Sequence, residues 1–286
     1  MNRRTALKTT ALGLGSLSLG RAIAATDDAT AGLLAKTNHS TCKWCYDSIP
    51  LEELCERGQD IGLQSIELLT VKDWPTLKNY GMTCAMGTLD EFSIENGWND
   101  PANHEKLQAA YTIAIRDAAD HGIPNMIVMS GNRRGMSDYD GMVNCAVGLR
   151  PMVKLAEEAG VTLQMELLNS KVNHPDYMCD HTKWGVALAE MINSERFQLL
   201  YDIYHMQIME GDVIATIQKY HDYIGHYHTG GVPGRHEIND SQELNYPAII
   251  RAIHGTGFAG YVAQEYIPTY DDKIKALAEG LRICEV

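Results

Sequence analysis

Leu199-Leu-Tyr-Asp-Ile-Tyr-His205 is an apolar run that closes on Asp202 and His205. An ionised carboxylate is rarely left in such a run unless something pairs with it, because an unpaired buried charge is very costly. The same anomaly recurs in Val161-Thr-Leu-Gln-Met-Glu166, Tyr223-Ile-Gly-His-Tyr-His228 and Tyr261-Val-Ala-Gln-Glu265. From Glu166 to Asp202, His228 and Glu265 the successive intervals are 36, 26 and 37 residues. A strand plus its return helix takes about that length. One inward ligand per β/α unit, on four successive units, predicts a single divalent metal ion at the mouth of a parallel barrel.

Outward from these runs, strands and helices alternate without a break, the pattern of an α/β protein. Strands are expected at 39–44, 65–69, 82–86, 125–129, 161–167, 197–202, 223–228 and 261–266. Helices are expected at 51–61, from Asp73 to Gly81, and at 103–121, 139–159, 181–192, 206–221, 246–254 and 271–284, the sixth broken near Gly211-Asp212. Pro50 falls where a helix start tolerates proline, and Gly122 and Gly160 fall where helices stop. A chain of 286 residues, 45% hydrophobic, suits one (β/α)8 TIM barrel over residues 26–286 better than two ordinary domains. An open doubly wound sheet is disfavoured, since no Gly-rich phosphate fingerprint follows the first strand. The loop at 87–100, rich in Gly, Asn and acidic residues, is read as a cover for the barrel mouth.

The chain carries 24 basic and 37 acidic side chains, a net charge of −13. A protein that grips phosphate backbones needs positive charge or a basic stripe, so nucleic acid is not expected as a partner and a small polar substrate is. Asn2-Arg-Arg-Thr-Ala-Leu-Lys8, then Ala11–Gly20, then Ala22-Ile-Ala24 run in the order basic, apolar, small. That order predicts a twin-arginine-type export signal over residues 1–25 and a periplasmic protein, with no membrane contact after cleavage. The apolar part is too short and Gly-rich to span a bilayer. Seven cysteines include the pair Cys42-Lys-Trp-Cys45, read as packing residues, with a disulfide in an oxidising compartment as the alternative.

Barrel enzymes place their chemistry at the C-terminal ends of strands, where Glu166, Asp202, His228 and Glu265 all fall. Three carboxylates and one imidazole favour Mn²⁺, Mg²⁺ or Co²⁺ over a structural Zn²⁺, which prefers thiolates. The alternative for each acid is that it caps the following helix. His226 and His228 share a face, so spacing alone leaves open which of them meets a metal. Arg235, in a Gly-rich loop, suits bidentate recognition of a carboxylate or vicinal hydroxyls, or is a solvated loop residue. His205 is read as a substrate ligand or a helix-start residue, Glu67 as a substrate partner or an outward strand end, and Trp44 as a wall of the mouth.

Glu166-Leu-Leu-Asn169, Tyr201-Asp-Ile-Tyr-His-Met-Gln-Ile-Met-Glu-Gly-Asp212, Val232-Pro-Gly-Arg-His-Glu237, Glu243-Leu-Asn-Tyr-Pro247 and Gln264-Glu-Tyr266 closely resemble the hydroxypyruvate isomerase family. That family belongs with the xylose-isomerase-like barrels, beside sugar epimerases and endonuclease IV. The resemblance covers most of the chain after the leader. It implies that Glu166, Asp202 and Glu265 hold the metal, with the two glutamates also flanking the substrate as catalytic residues. The fourth family position, often Gln in the isomerases, falls on His228, as in the related ketose 3-epimerases, which leaves the substrate open. His205 and Arg235 match positions that hold substrate oxygens. The implied activity is aldose–ketose isomerisation of a sugar or hydroxy-keto acid through a metal-stabilised cis-enediolate, in a protein compatible with homo-oligomer formation. Epimerisation, dehydration of a cyclitol and non-catalytic sugar binding are the alternatives.

Overall fold

The computed structural model describes residues 37–286, so the export-signal reading lies outside the described residues. Among the described residues, seven parallel strands are present: β1 (Asn38–Cys42), β2 (Ser65–Glu67), β3 (Asn125–Val128), β4 (Thr162–Glu166), β5 (Phe197–Asp202), β6 (Ile224–Thr229) and β7 (Tyr261–Gln264). They pair in the order β2-β1-β7-β6-β5-β4-β3. The expected eighth strand, at 82–86, is reduced to isolated parallel bridges, Ser65 with Thr83 on one side and Gly87 with Met126 on the other. The reason lies in its hydrogen bonds: Ala85 N–H goes to the Ser65 hydroxyl and Ala85 carbonyl to the Asn125 amide, both side chains. Gly87 still gives its N–H to the Asn125 carbonyl and takes the Ile127 N–H, so this stave joins β2 to β3 and closes the ring. β2 stops at Glu67 because Leu68 turns to a positive φ of 56°.

The return helices are α1 (Leu51–Asp60), α2 (Trp74–Asn79), α3 (His104–His121), α4 (Asp138–Ala159), α5 (Thr182–Ile192), α6 (Ile203–Met209), α7 (Val213–Tyr220), α8 (Tyr246–Gly255) and α9 (Lys273–Ile283). The break expected at Gly211-Asp212 separates α6 from α7, and α6 begins directly after Asp202 rather than at Met206. Leu163, Leu199, Tyr201, Tyr227 and Val262 are buried with the helix faces in one core. Each such apolar side chain removed from water contributes roughly 1.5–3 kcal/mol. Parallel strands between helices are buried on both faces, which is why they read as continuous apolar runs. Among the described residues, no helix is long and apolar enough to cross a membrane.

Parallel pairing sets the strand ends on one rim. Asp202 stands beside His228 on one rung and Cys42 beside Glu67 on another. The loop after the bridging stave is held against the end of β3, with Trp98 N–H on the Met129 carbonyl and Asn99 N–H on the Ser130 carbonyl. That contact needs glycine: a Cβ on Gly97 would lie 2.3 Å from the backbone at residues 129–131.

Candidate functional site

The four polar strand ends converge. Glu166 closes β4, Asp202 closes β5, His228 is the penultimate residue of β6 and Glu265 follows β7. Their ligand atoms all lie within 4.8 Å of one another, and all four side chains are buried. Asp202 does two things at once, since Oδ1 accepts the His205 N–H at 3.1 Å and caps α6 while Oδ2 faces the site. Capping and site occupancy are therefore not alternatives here.

The two histidines of β6 separate by their partners. His228 presents Nδ1 to Glu265 Oε2 at 2.9 Å and to Glu166 Oε1 at 3.6 Å. Its Nε2 lies 2.7 Å from Glu67 Oε1, and His226 Nε2 meets that same oxygen at 2.9 Å. The Ser40 hydroxyl donates to the other Glu67 oxygen at 2.5 Å. Glu67 is fully buried, with both oxygens engaged below the mouth. Burial pushes its carboxyl up, but the imidazoles of His226 and then His228 outweigh this and hold it at about 2. A carboxylate behind a ligating imidazole fixes its tautomer, so with a cation bound Glu67 would hold the proton on Nε2 and leave Nδ1 to the site.

Arg235, at a positive φ of 60° in the loop after β6, reaches over the mouth. Its Nη2 donates to Glu265 Oε2 at 2.5 Å and lies 3.5 Å from Asp202 Oδ2. The guanidinium carbon stands 5.2 Å from the Trp44 ring and 5.3 Å from the Tyr204 ring. Trp44 Nε1 also donates to Glu265 Oε1 at 2.9 Å. Burial works against the Glu265 carboxylate, yet Arg235 and His228 hold its pKa well below the usual range. Burial raises Glu166, with the Glu265 charge adding to it, and raises Asp202 more strongly.

His205 is fully buried, and its Nδ1 accepts the Asn169 backbone N–H at 3.0 Å. Burial, then Arg235, pushes its pKa well below the ordinary imidazole value. The ring is therefore neutral with its proton on Nε2, an atom that has no hydrogen-bond partner. That orphaned donor lies 3.6 Å from Asp202 Oδ2.

A cleft of about 380 Å³ opens over Glu166, Glu265 and Arg235. Its walls include His174, which the sequence reading missed, and Thr88, which falls in the loop at 87–100 read as a cover for the mouth. His174 lies 5.3 Å from the His205 ring in the loop after β4. Neither stands in a periodic segment, so no local pattern marks it. All seven cysteines are buried and free, Cys42 and Cys45 included. Cys42, Glu67 and His228 form a second close group, but it shares its imidazole with the first.

The donor set fits a hard divalent cation. Three carboxylates packed around one imidazole nitrogen leave excess buried negative charge that a cation would offset.

A model of the xylose isomerase-like TIM barrel matches residues 55–285. The chain belongs to the xylose isomerase-like TIM barrel family. Within this family it is similar to a human putative hydroxypyruvate isomerase, 29% identical over 177 residues, which cover 60% of this chain and 64% of that one. The chain thus spans a little under two thirds of that relative's length. A 2-oxo-tetronate isomerase of Pectobacterium atrosepticum is 25% identical over 234 residues, 78% of this chain and 88% of the relative. Among solved structures, one titled AP endonuclease, family 2, from Brucella melitensis superposes with a TM-score of 0.76, covering 85% of this chain and 97% of that one. At 24% identity this likeness carries the barrel alone.

Proposed function

We propose that this family member is a metal-dependent isomerase that moves a proton between adjacent carbons of an α-hydroxy-carbonyl substrate. Hydroxypyruvate and 2-oxo-tetronate, for which its relatives are named, are the first substrates to try. The observation that carries the reading is the convergence of Glu166, Asp202, His228 and Glu265 within 4.8 Å, with Glu166 and Glu265 lining an open cleft. Those four residues would hold the cation, with Mn²⁺, Mg²⁺ or Co²⁺ as the expected ion. When bound, a divalent cation supplies Lewis-acid polarisation of a carbonyl and a template for its oxygens.

The chain's own residues do the rest. Glu166 and Glu265 both border the cleft, so one takes the proton from the carbon beside the carbonyl and the other returns it. Return to the neighbouring carbon isomerises; return to the opposite face of the same carbon epimerises. His205 offers its unpaired Nε2–H to a substrate oxygen. Arg235 neutralises Glu265 and is braced by Trp44 and Tyr204 at the entrance. The periplasm as the place of action belongs to the same proposal, supported by the order of basic, apolar and small residues in the leader.

Incubating the Mn²⁺-loaded protein with each acid in D₂O tests the reading. Deuterium is expected at the carbon beside the carbonyl, with an aldehyde product from hydroxypyruvate and the 3-oxo acid from 2-oxo-tetronate. Glu265→Gln should remove both signals while keeping the wild-type circular dichroism spectrum. Full turnover by that variant would refute the assignment.

A further inference from the structure

The cleft is larger and more apolar than a three-carbon acid requires. By the liquid share of ~30 Å³ per water, 380 Å³ accommodates about a dozen non-hydrogen atoms, whereas hydroxypyruvate has about seven. Beyond the acids of the floor, the walls are Leu68, Phe92, Ile94, Ile127, Met129 and Leu168. Against these stand Thr88, whose hydroxyl has no hydrogen-bond partner, and His174. Burial, and then Arg235, lowers the pKa of His174, so it stays neutral. The one permanent cation in the lining, Arg235, is already committed to Glu265 and Asp202. Lys72 and Lys106 near the loop are paired with Asp90 and Glu91 outside this cleft.

Two features show that this wall is built rather than left over. Leu68 holds a left-handed backbone at φ 56°, a conformation that costs a branched residue roughly 1–2 kcal/mol, and its N–H is tied to the Met86 carbonyl at 2.8 Å. The segment carrying Phe92 and Ile94 is pinned on its C-terminal side. Asn132 N–H donates to the Glu95 carbonyl, and Arg134 donates to that carbonyl and to Asn96.

We infer that the substrate carries, beyond its reacting α-hydroxy-carbonyl end, an uncharged extension with an apolar face, and that Leu68, Phe92 and Ile94 select it against substrates ending in a distal anion. This rests on the isomerase reading of the same site. A distal carboxylate would enter an apolar wall with no cation to meet it, and an unpaired buried charge is rejected strongly. An apolar tail would cover Phe92 and Ile94, and a hydroxyl on it would satisfy Thr88.

Two matched ketones provide the test: 1-hydroxy-4-phenylbutan-2-one and 5-hydroxy-4-oxopentanoate, which differ only in a phenyl or carboxylate terminus. The rate of deuterium entry at the hydroxymethyl carbon is measured for both, beside hydroxypyruvate, with Mn²⁺-loaded protein. The phenyl ketone is expected to exceed the carboxylate ketone at least tenfold in kcat/KM. Ile94→Lys should narrow or reverse that ratio by supplying a cation. Phe92→Lys, at a position already 37% exposed, is a second route that spares the core. Equal or better exchange with the carboxylate ketone or hydroxypyruvate would overturn the inference while leaving the isomerase reading intact. Exchange with none of the three would overturn both.

Discussion

Glu67→Gln isolates the role of a residue that touches the cation site only through His228. Glu67 Oε1 receives both His228 Nε2 at 2.7 Å and His226 Nε2 at 2.9 Å, and Ser40 holds the second oxygen. The substitution is isosteric and leaves the four candidate ligands in place. It removes the charge that orients the imidazole and raises its basicity. Loss of such an outer carboxylate typically weakens metal binding by about 10–100-fold, or roughly 1.4–2.8 kcal/mol. The assay is titration with Mn²⁺, followed by the electron paramagnetic resonance signal of the free ion. One ion per chain should still bind, at weaker affinity, and excess Mn²⁺ should restore most of kcat. Glu67→Ala should act more severely, because two buried imidazole N–H groups then lack an acceptor at about 1–3 kcal/mol each. Unchanged Mn²⁺ affinity in Glu67→Gln would refute the orienting role.

Arg235→Met removes one partner from a buried cluster and leaves Glu265 and Asp202 facing each other, so urea unfolding of the metal-free protein should show a loss of about 3–5 kcal/mol. Arg235→Lys should fall between Met and wild type, since it keeps the charge but not the planar contact with Trp44 and Tyr204. Burial pushes the thiols up, Cys55 to about 11 and Cys84 and Cys284 to about 12. A raised thiol pKa means less thiolate at pH 8, so Ellman's reagent should find no fast thiol in the native protein and seven after denaturation. A count of five after denaturation would mean that one pair is joined, with Cys42 and Cys45 the pair that their spacing favours. Replacing Arg3 and Arg4 by lysine should hold the protein in the cytoplasm of a host with the twin-arginine pathway, as read by cell fractionation.

Much of the site was legible because parallel strands buried on both faces make a carboxylate stand out. Glu166, Asp202 and Glu265 each end an apolar run, and parallel pairing brings such ends to one rim. The stave at 82–86 was harder to read as an irregular strand: its bonds to the side chains of Ser65 and Asn125 join residues distant in sequence. Period-two alternation points both His226 and His228 inward, and only the depth of Glu67 between them separates their roles. Glu67 itself was visible as a strand-end acid, but its partners come from β1 and β6. His174 and Thr88 reach the cleft from loops, where neither helical nor strand periodicity applies.

The most direct measurement of the central claim is anomalous diffraction at the manganese absorption edge from crystals grown with Mn²⁺. One peak per chain is predicted, bonded to a carboxylate oxygen from each of Glu166, Asp202 and Glu265 and to Nδ1 of His228. A peak at other residues, or none among these four at saturating Mn²⁺, would contradict the account.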